Sequence, residues 1–244
     1  MSSSTGQQLG GQDPDRDFEH AVASCTIKTA TEAGGRPYVR PSRLYEWWQG
    51  ETTFNEQPTT QATRLLHHVY RNWSAHSHSV TMTRDTLFGN NPCIIIFSIL
   101  LEIGWGDLIH RFRNFEKFDK SLPFRKSDLE SYIREMATRP HRLRRRIPNP
   151  DDVSAKFFEA QWKFCPVKFT GEEQDISSHS IIPIHRKELI TEKGGTAKLF
   201  QIEVLSEFVV GNLREAAENF KYLPIDNPDG QGSVSYERKS LFRL

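Results

Sequence analysis

The most apolar run of this 244-residue chain reads Cys93-Ile-Ile-Ile-Phe-Ser-Ile-Leu-Leu-Glu102. A helix needs about twenty apolar residues to cross a bilayer, and Glu102 ends this run well before that length. We therefore predict a core helix that is buried on all sides and no membrane span. Pro92 suits the first turn of such a helix, and the glycines Gly104 and Gly106 predict its end.

Apolar residues at helical spacing predict further helices around this one, within residues 60–73, 108–112, 127–138 and 151–164. Ser127 and Glu130 have capping-box spacing at the start of the third. Asp151 and Asp152 favour the start of the fourth, because carboxylates are stabilised by the positive end of a helix dipole. Together these patterns predict a mainly helical region of about 120 residues.

A β-hairpin is predicted by Ile190-Thr-Glu-Lys-Gly-Gly-Thr-Ala-Lys-Leu-Phe-Gln-Ile-Glu-Val204. After the glycines, Phe200, Ile202 and Val204 alternate with residues of the opposite face, which is typical of a half-buried antiparallel strand. The chain is therefore expected to be mainly α, and α+β overall.

The turn of this hairpin resembles the protein-kinase loop G-x-G-x-x-G-x-V, which covers the phosphates of ATP. Gly194 matches the central glycine, Ala197 replaces the last glycine and Leu199 replaces the valine. Glu192 replaces the first glycine and would repel a phosphate. The resemblance implies a weak ATP site formed by Gly194, Gly195, Ala197 and Leu199 and no other cofactor. A plain hairpin with a Gly-Gly turn is the alternative.

Four segments strengthen this resemblance by their order along the chain. They are Cys93–Ile109, Asp119-Lys-Ser-Leu-Pro-Phe124, Phe157-Phe-Glu-Ala-Gln-Trp-Lys-Phe-Cys-Pro-Val167 and Ile181-Ile-Pro-Ile184. Over roughly residues 60–204 the chain resembles the N-terminal extension and the start of the kinase domain of filamentous-fungal serine/threonine protein kinase-like proteins. The resemblance implies a helical N-terminal domain followed by an incomplete kinase N-lobe.

A kinase also needs a lysine on its third strand to orient the α- and β-phosphates. Lys221 has the better spacing from the loop, and Lys239 has the better following sequence, but neither has the V-A-I-K context. Lys221 is the tentative nucleotide-binding choice. The alternative is that both lysines are exposed to solvent and have no role in nucleotide binding.

Catalytic residues are not predicted, because the sequence contains neither H-R-D nor D-F-G. The pairs His110-Arg111 and His185-Arg186 are followed by Phe and Lys. We therefore expect a truncated or diverged kinase-like protein that is non-catalytic as given. The alternative is the N-terminal part of an active ATP-dependent kinase whose catalytic lobe is missing.

The composition along the chain divides it into a disordered tail, a helical domain, a polar linker and a partial kinase-like N-lobe, at residues 1–35, 36–169, 170–180 and 181–244. A short helix near residues 18–29 is compatible with the tail. We expect the helical domain to bind a protein partner through its apolar and aromatic surface. Tyr45, Trp47 and Trp48 are expected to form an aromatic cluster that packs onto the helices that follow.

The charge balance, with 32 Lys and Arg against 31 Asp and Glu, does not favour nucleic acid as a partner. The basic run Arg139–Arg146 is the exception. Because of this run, a nuclear or nucleic-acid-associated module is an alternative function. The run could equally be a solvent-exposed connector between two helices.

Metal and disulfide sites are not predicted. Cys25, Cys93 and Cys165 are far apart and form no C-x-x-C pair, which favours a reducing intracellular compartment, cytoplasmic or nuclear. His67, His68, His76 and His78 lack the i, i+4 spacing of helical metal sites.

Overall fold

The computed structural model describes residues 13–30, 35–54, 56–71, 82–138, 147–191, 199–219 and 239–243. The α-helices of these residues are α1 (Pro14–Cys25), α2 (Pro41–Gln49), α3 (Gln61–Tyr70), α4 (Arg84–Phe88), α5 (Ile94–Glu102), α6 (Ile109–Asn114), α7 (Lys126–Thr138), α8 (Pro150–Phe164) and α9 (Gly211–Asn219). The strands are β1 (Thr26–Lys28), β2 (Pro37–Val39), β3 (Glu51–Phe54), β4 (Gln57–Thr60), β5 (Ile184–Thr191), β6 (Leu199–Leu205) and β7 (Lys239–Arg243). The protein is thus mainly helical and α+β, as expected.

Three antiparallel sheets accompany the helices. Two are hairpins, β1–β2 and β3–β4, and the third is a three-stranded sheet of order β5-β6-β7. Among the residues that the structure describes, no helix has the length and apolarity needed to cross a membrane.

The central helix is α5, whose residues are buried on several faces, as its apolar sequence predicts. Its one buried hydroxyl, on Ser98, accepts a hydrogen bond of 3.0 Å from the indole nitrogen of Trp48. The expectation that Pro92 lies in the first turn is wrong, because α5 begins at Ile94 with Cys93 as its N-cap, so Pro92 lies two residues before the helix. The helix ends at Glu102, just before Gly104 with its φ of 74°.

The segments that carry the kinase-like resemblance pack against one another. Asp119 caps α5 by accepting hydrogen bonds from the backbone N–H groups of Ile95 (3.1 Å) and Ile96 (3.0 Å). Gln161 of α8 accepts from the backbone N–H of Phe124 at 2.8 Å and donates to its carbonyl at 3.1 Å. These contacts make α5, the Leu-Pro-Phe turn and α8 one structural unit.

The predicted stripe of α7 is confirmed, since Leu129, Ile133 and Met136 are buried. Ser127 is not the N-cap, because α7 already begins at Lys126, and the predicted capping box is wrong.

Two other predicted helix starts are as expected. α3 begins directly after Thr60, whose hydroxyl accepts a hydrogen bond from the backbone N–H of Thr63 at 3.3 Å. Asp151 and Asp152 occupy the first turn of α8.

The N-terminal tail expected to be disordered is largely ordered where the structure describes it. α1 places Phe18 and Val22 in the core, both only 2 % exposed, and the Phe18 ring lies 5.6 Å from that of Trp48. The buried residues of α1 have helical spacing and form a narrow apolar face: Phe18, Ala21, Val22 and Cys25. The low overall apolar content of the tail did not indicate this face. Residues 1–12 and 31–34 lie outside the described residues.

The helical region and the β5-β6-β7 sheet share one hydrophobic core, which differs from the expected division into separate domains. Val204 of β6 is fully buried, and the ring of Phe208 meets that of Tyr38 edge-on at 5.5 Å. The backbone N–H of Phe169 donates to the carbonyl of Phe208 at 2.7 Å. The polar stretch 170–180 is therefore a surface segment, and it does not divide the hydrophobic core into two.

Candidate functional site

The predicted nucleotide-binding residues lie mostly beyond what the structure describes. Gly194, Gly195, Ala197 and Lys221 are outside the described residues, as are the basic run 139–146 and the histidines at 76 and 78. Leu199 is the first residue of β6, and the competing Lys239 is the first residue of β7.

The predicted hairpin itself is confirmed by the pairing of its strands. Thr191 at the end of β5 pairs with Leu199 at the start of β6, so residues 192–198 connect two neighbouring antiparallel strands. At the other end of β6, Leu205 pairs with Lys239. Six residues of β-strand span about 20 Å, which places the backbone of Lys239 far from the connection.

The hairpin is buried at one end and exposed at the other. Ile202 and Val204 are in the core, as the alternation in β6 predicts, whereas β5 exposes four consecutive side chains, 186–189. Consecutive residues of a strand point to opposite faces, so β5 is open to solvent on both faces there. Arg186 and Glu188, two residues apart on one face, form an ion pair.

An exposed segment leads from α8 towards this hairpin. Residues 171–179, which we name the acidic segment, are all exposed and form no helix or strand. They include the carboxylates of Glu172, Glu173 and Asp175, and Ile176 is 47 % exposed. The acidic segment combines negative charge with an aliphatic side chain that the fold leaves in contact with water.

The end of the acidic segment is anchored on the helical core. The imidazole of His179 stacks on the indole of Trp162, with 5.7 Å between ring centroids and 19° between planes. Just beyond it, the Arg36 guanidinium donates to the carbonyl of Ser180 at 3.2 Å. The end of the segment is therefore held at a fixed place on the molecule, while the side chains of the segment are exposed.

The aromatic cluster of Tyr45, Trp47 and Trp48 packs onto helices that follow it, as expected. Trp48 is fully buried, and Trp47 is partly buried against the core. Tyr45 is 41 % exposed, with its ring edge-on to that of Phe88 at 5.2 Å. Among the described residues the exposed large apolar side chains are Tyr45, Ile176, Ile182 and Leu189. Three of these four follow α8.

A buried polar cluster at α6 was not anticipated as a unit from the sequence. Asp107, His110 and Arg111 are each less than 7 % exposed. His110 donates from Nδ1 to the Asp107 carbonyl at 2.6 Å, and Arg111 donates to the Met136 carbonyl at 2.8 Å. Burial lowers the pKa of Arg111, although Asp107 opposes that effect. These contacts join α6 to α7, and we assign them a structural role.

The thiols are unsuited to nucleophilic chemistry. Burial raises the pKa of Cys93 and of Cys165 to about 12, and Asp119 contributes to both shifts. Because the thiolate is the reactive form, neither residue is a nucleophile near neutral pH. All three cysteines of the chain are free, as their spacing predicts.

One group of metal-binding atoms occurs within the described ranges, where side-chain atoms of Asp13, Asp15 and His68 lie within 4.8 Å of one another. His68 contacts the Asp15 carboxylate at 3.0 Å, and the Arg71 guanidinium lies 3.4 Å from its other ring nitrogen. The positive end of α1 and Arg71 both oppose a cation at this place. We therefore assign the group to the α1–α3 contact.

An open groove of about 300 Å³ lies beside that group, between α1, the end of α5 and α8. Its lining is mixed, with Phe18, Val22 and Leu101 beside three carboxylates and Lys163. Lys163 pairs with Glu102 at 2.7 Å, which neutralises one of those carboxylates. The groove thus offers less specific chemistry than the acidic segment and the hairpin.

No protein-family model, no curated protein and no solved structure matches this chain.

Proposed function

We propose that this chain is a non-catalytic protein kinase-like protein that acts by docking a protein partner, and that the acidic segment is its docking element. The observation that carries the proposal is Ile176, which is 47 % exposed and follows the exposed residues Glu173 and Asp175 closely in the sequence. An exposed aliphatic side chain that follows a run of exposed carboxylates suits a partner with an apolar pocket and a basic rim.

The anchoring of the segment supports this proposal. The stacking of His179 on Trp162 and the hydrogen bond from Arg36 to Ser180 hold the end of the segment before binding. A segment that is already ordered loses less conformational entropy when it binds. The partner is therefore expected to meet a largely preformed surface at the helical region.

The test compares three variants of the full chain in retaining partner proteins from an extract, measured by quantitative mass spectrometry. Ile176→Ser removes the aliphatic contact, and Glu173→Lys reverses a charge beside it. Leu189→Ser is the matched control, because Leu189 is 46 % exposed but lies outside the segment. A basic protein lost with the first two variants and kept with the control supports the proposal. Retention that is insensitive to both segment variants contradicts it.

A second candidate function is weak ATP binding by the connection between β5 and β6. The order β5-β6-β7 and its antiparallel pairing agree with the resemblance to the first strands of a kinase N-lobe. The proposed ligand residues are Gly194, Gly195, Ala197 and Leu199. Lys221 is kept as the proposed lysine because of its spacing from the loop. Lys239 is the lysine that lies on β7, the third strand of the sheet, but its backbone is about 20 Å from the connection along the strand.

Isothermal titration with ATP tests this second candidate. Binding that is lost in Gly194→Asp supports it, because a carboxylate at this position repels phosphate. Loss of affinity in Lys221→Ala with retention in Lys239→Ala supports the choice of lysine. If titration with millimolar ATP gives no heat of binding, ATP binding by this connection is excluded. The docking proposal is not affected by that result.

A further inference from the structure

The acidic segment contains two adjacent serines, Ser177 and Ser178, and both are exposed outside any helix or strand. The other serines that the structure shows as exposed lie in helices or in a 3-10 turn: Ser24, Ser42, Ser121, Ser127 and Ser131. An enzyme that modifies a serine has to hold the reacting hydroxyl in a fixed geometry. It therefore has to surround the residues on both sides, which a helix packed on a core prevents and the acidic segment permits.

The backbone around Ser177 is already held in a turn. The carbonyl of Ser177 accepts a hydrogen bond of 2.9 Å from the backbone N–H of Ser180, and its hydroxyl oxygen accepts one of 3.3 Å from the backbone N–H of His179. A hydroxyl has one hydrogen and two lone pairs. The contact with His179 uses one lone pair, so it leaves the hydrogen and the other lone pair for a reaction.

The carboxylates of the segment are in register with Ser177 and out of register with Ser178. Along an extended chain, alternate side chains point to the same side and are about 7 Å apart. When an enzyme cleft holds the segment extended, residues 173, 175 and 177 form one row, in which two carboxylates precede the Ser177 hydroxyl. The opposite row, residues 174, 176 and 178, carries no charge. A kinase whose substrate cleft is lined by arginine or lysine would select the charged row.

We propose that Ser177 is a phosphorylation site for a separate serine/threonine kinase with a basic substrate cleft, and that the phosphate strengthens docking through the acidic segment. The effect on docking rests on the function proposed above. In the reaction, the Ser177 oxygen attacks the γ-phosphorus of ATP, and the bond from that phosphorus to the β–γ bridging oxygen breaks. ADP leaves with the electron pair, and the hydroxyl proton passes to the catalytic aspartate of the kinase.

The phosphate adds charge of the sign that the segment already carries. A phosphoserine brings a charge of about −1.5 to −2 near pH 7, and it would directly follow Ile176, behind three carboxylates. Docking to a basic rim around an apolar pocket is therefore strengthened. The backbone N–H of His179, which already donates to the Ser177 oxygen, is placed to donate to the phosphate. The anchored end of the segment is thus compatible with the modification.

Phosphorylation of the purified full chain tests the site. The chain is incubated with a panel of serine/threonine kinases that phosphorylate acidic peptides, and with ATP labelled in its γ-phosphoryl group. Peptide mass spectrometry is expected to place the phosphate on Ser177. S177A should abolish most of the labelling, whereas S178A, the matched control, should retain it. Phosphate on Ser178 or on a helical serine instead, or no labelling by any of these kinases, overturns the proposal.

Moving one carboxylate by a single position tests the selection of the charged row. E173Q and D175N are each expected to lower kcat/KM of the kinase roughly tenfold, because each removes a charged contact. E173Q/Q174E keeps the net charge but moves the carboxylate to the opposite row, so it should react as slowly as E173Q. E159Q, which removes an exposed carboxylate of α8, is the control and should react like the wild type. A wild-type rate in E173Q/Q174E overturns selection by the row.

The effect on docking is tested by comparing the phosphorylated and the unmodified chain in the extract experiment described above. The phosphorylated chain is expected to retain roughly tenfold more of the basic partner protein. Equal retention by the two forms overturns the proposed strengthening. Labelling of Ser177 is measured without a partner, so the two proposals fail separately. A chain that is phosphorylated at Ser177 but retains no basic protein in either form contradicts the docking function and leaves the phosphorylation site established.

Discussion

The carboxylate of Glu207 accepts a hydrogen bond of 2.8 Å from the Arg40 guanidinium, across 167 positions of sequence. Its second oxygen accepts one of 3.0 Å from the backbone N–H of Ser42, in the first turn of α2. The Glu207 side chain, just after β6, thus caps α2 and forms an ion pair with Arg40, the residue before this helix. This contact ties the β5-β6-β7 sheet to the helical core.

Glu207→Ala is therefore expected to lower the free energy of unfolding by about 1–3 kcal/mol, since it removes two hydrogen bonds to a charged group. Urea denaturation measures the loss. Glu215→Ala, at an exposed position of α9, is the matched control and should change stability by less than about 0.5 kcal/mol. Equal effects of the two substitutions would show that the Arg40 contact contributes nothing.

Tyr38→Phe is expected to stabilise the protein by about 1 kcal/mol. The Tyr38 hydroxyl is buried and has no hydrogen-bond partner among the described residues, and an unpaired buried hydroxyl is costly. Burial, with a smaller contribution from Glu207, raises the pKa of this phenol to about 12. Thermal and urea unfolding measure the gain, with Tyr45→Phe at a 41 % exposed site as the control. A loss of stability in Tyr38→Phe would reveal a partner for the hydroxyl.

Asp119 predicts a dependence of stability on pH. Burial raises its pKa from 3.8 to about 6, although the backbone N–H groups at the start of α5 oppose this shift. Between about pH 4 and pH 6 the folded protein then binds more protons than the unfolded chain. The contribution of this group, on the order of 3 kcal/mol at most, is present at low pH and is lost as pH rises through 6.

Urea unfolding at intervals from pH 4 to pH 7 measures this effect in the wild type and in Asp119→Asn. The amide does not titrate, so the variant should lack this part of the slope while retaining an oxygen that can cap α5. Asp128→Asn is the matched control, because Asp128 lies near the start of α7 but is exposed. Identical slopes in wild type and Asp119→Asn would refute the prediction.

Gln161→Met is expected to cost about 2–4 kcal/mol, because it keeps the side-chain volume but leaves the buried N–H and C=O of Phe124 without their partner. Gln174→Met, in the exposed acidic segment, is the control. Both are measured by urea denaturation. A cost below about 0.5 kcal/mol for Gln161→Met would mean that other groups or water satisfy Phe124.

Elements with a strong local period could be predicted from the sequence. The apolar residues of α5 have no polar face, so the helix has to be buried, and the stripe Leu129, Ile133 and Met136 defines the inner side of α7. The alternation in β6 likewise places Ile202 and Val204 inside. In each case the period of side chains along a helix or strand is a property of the backbone, which holds in any tertiary context.

The candidate site could be predicted only in part. The hairpin was identified from its alternation and its glycines, and the polar character of residues 170–180 indicated an exposed segment. The exposure of Ile176 could not be predicted, because the residue is apolar and only the neighbours supplied by the fold decide whether such a side chain is buried.

The amino-acid sequence by itself determined the helical core, the hairpin and the absence of paired cysteines, since these depend on spacing along the chain. The tertiary structure decided that α1 belongs to the core, that the sheet and the helices share it, and that Asp119 and Gln161 each bind a distant backbone. It also decided that β5, β6 and β7 pair in that order. These properties depend on contacts between residues far apart in sequence, and no local period encodes which two distant segments will meet.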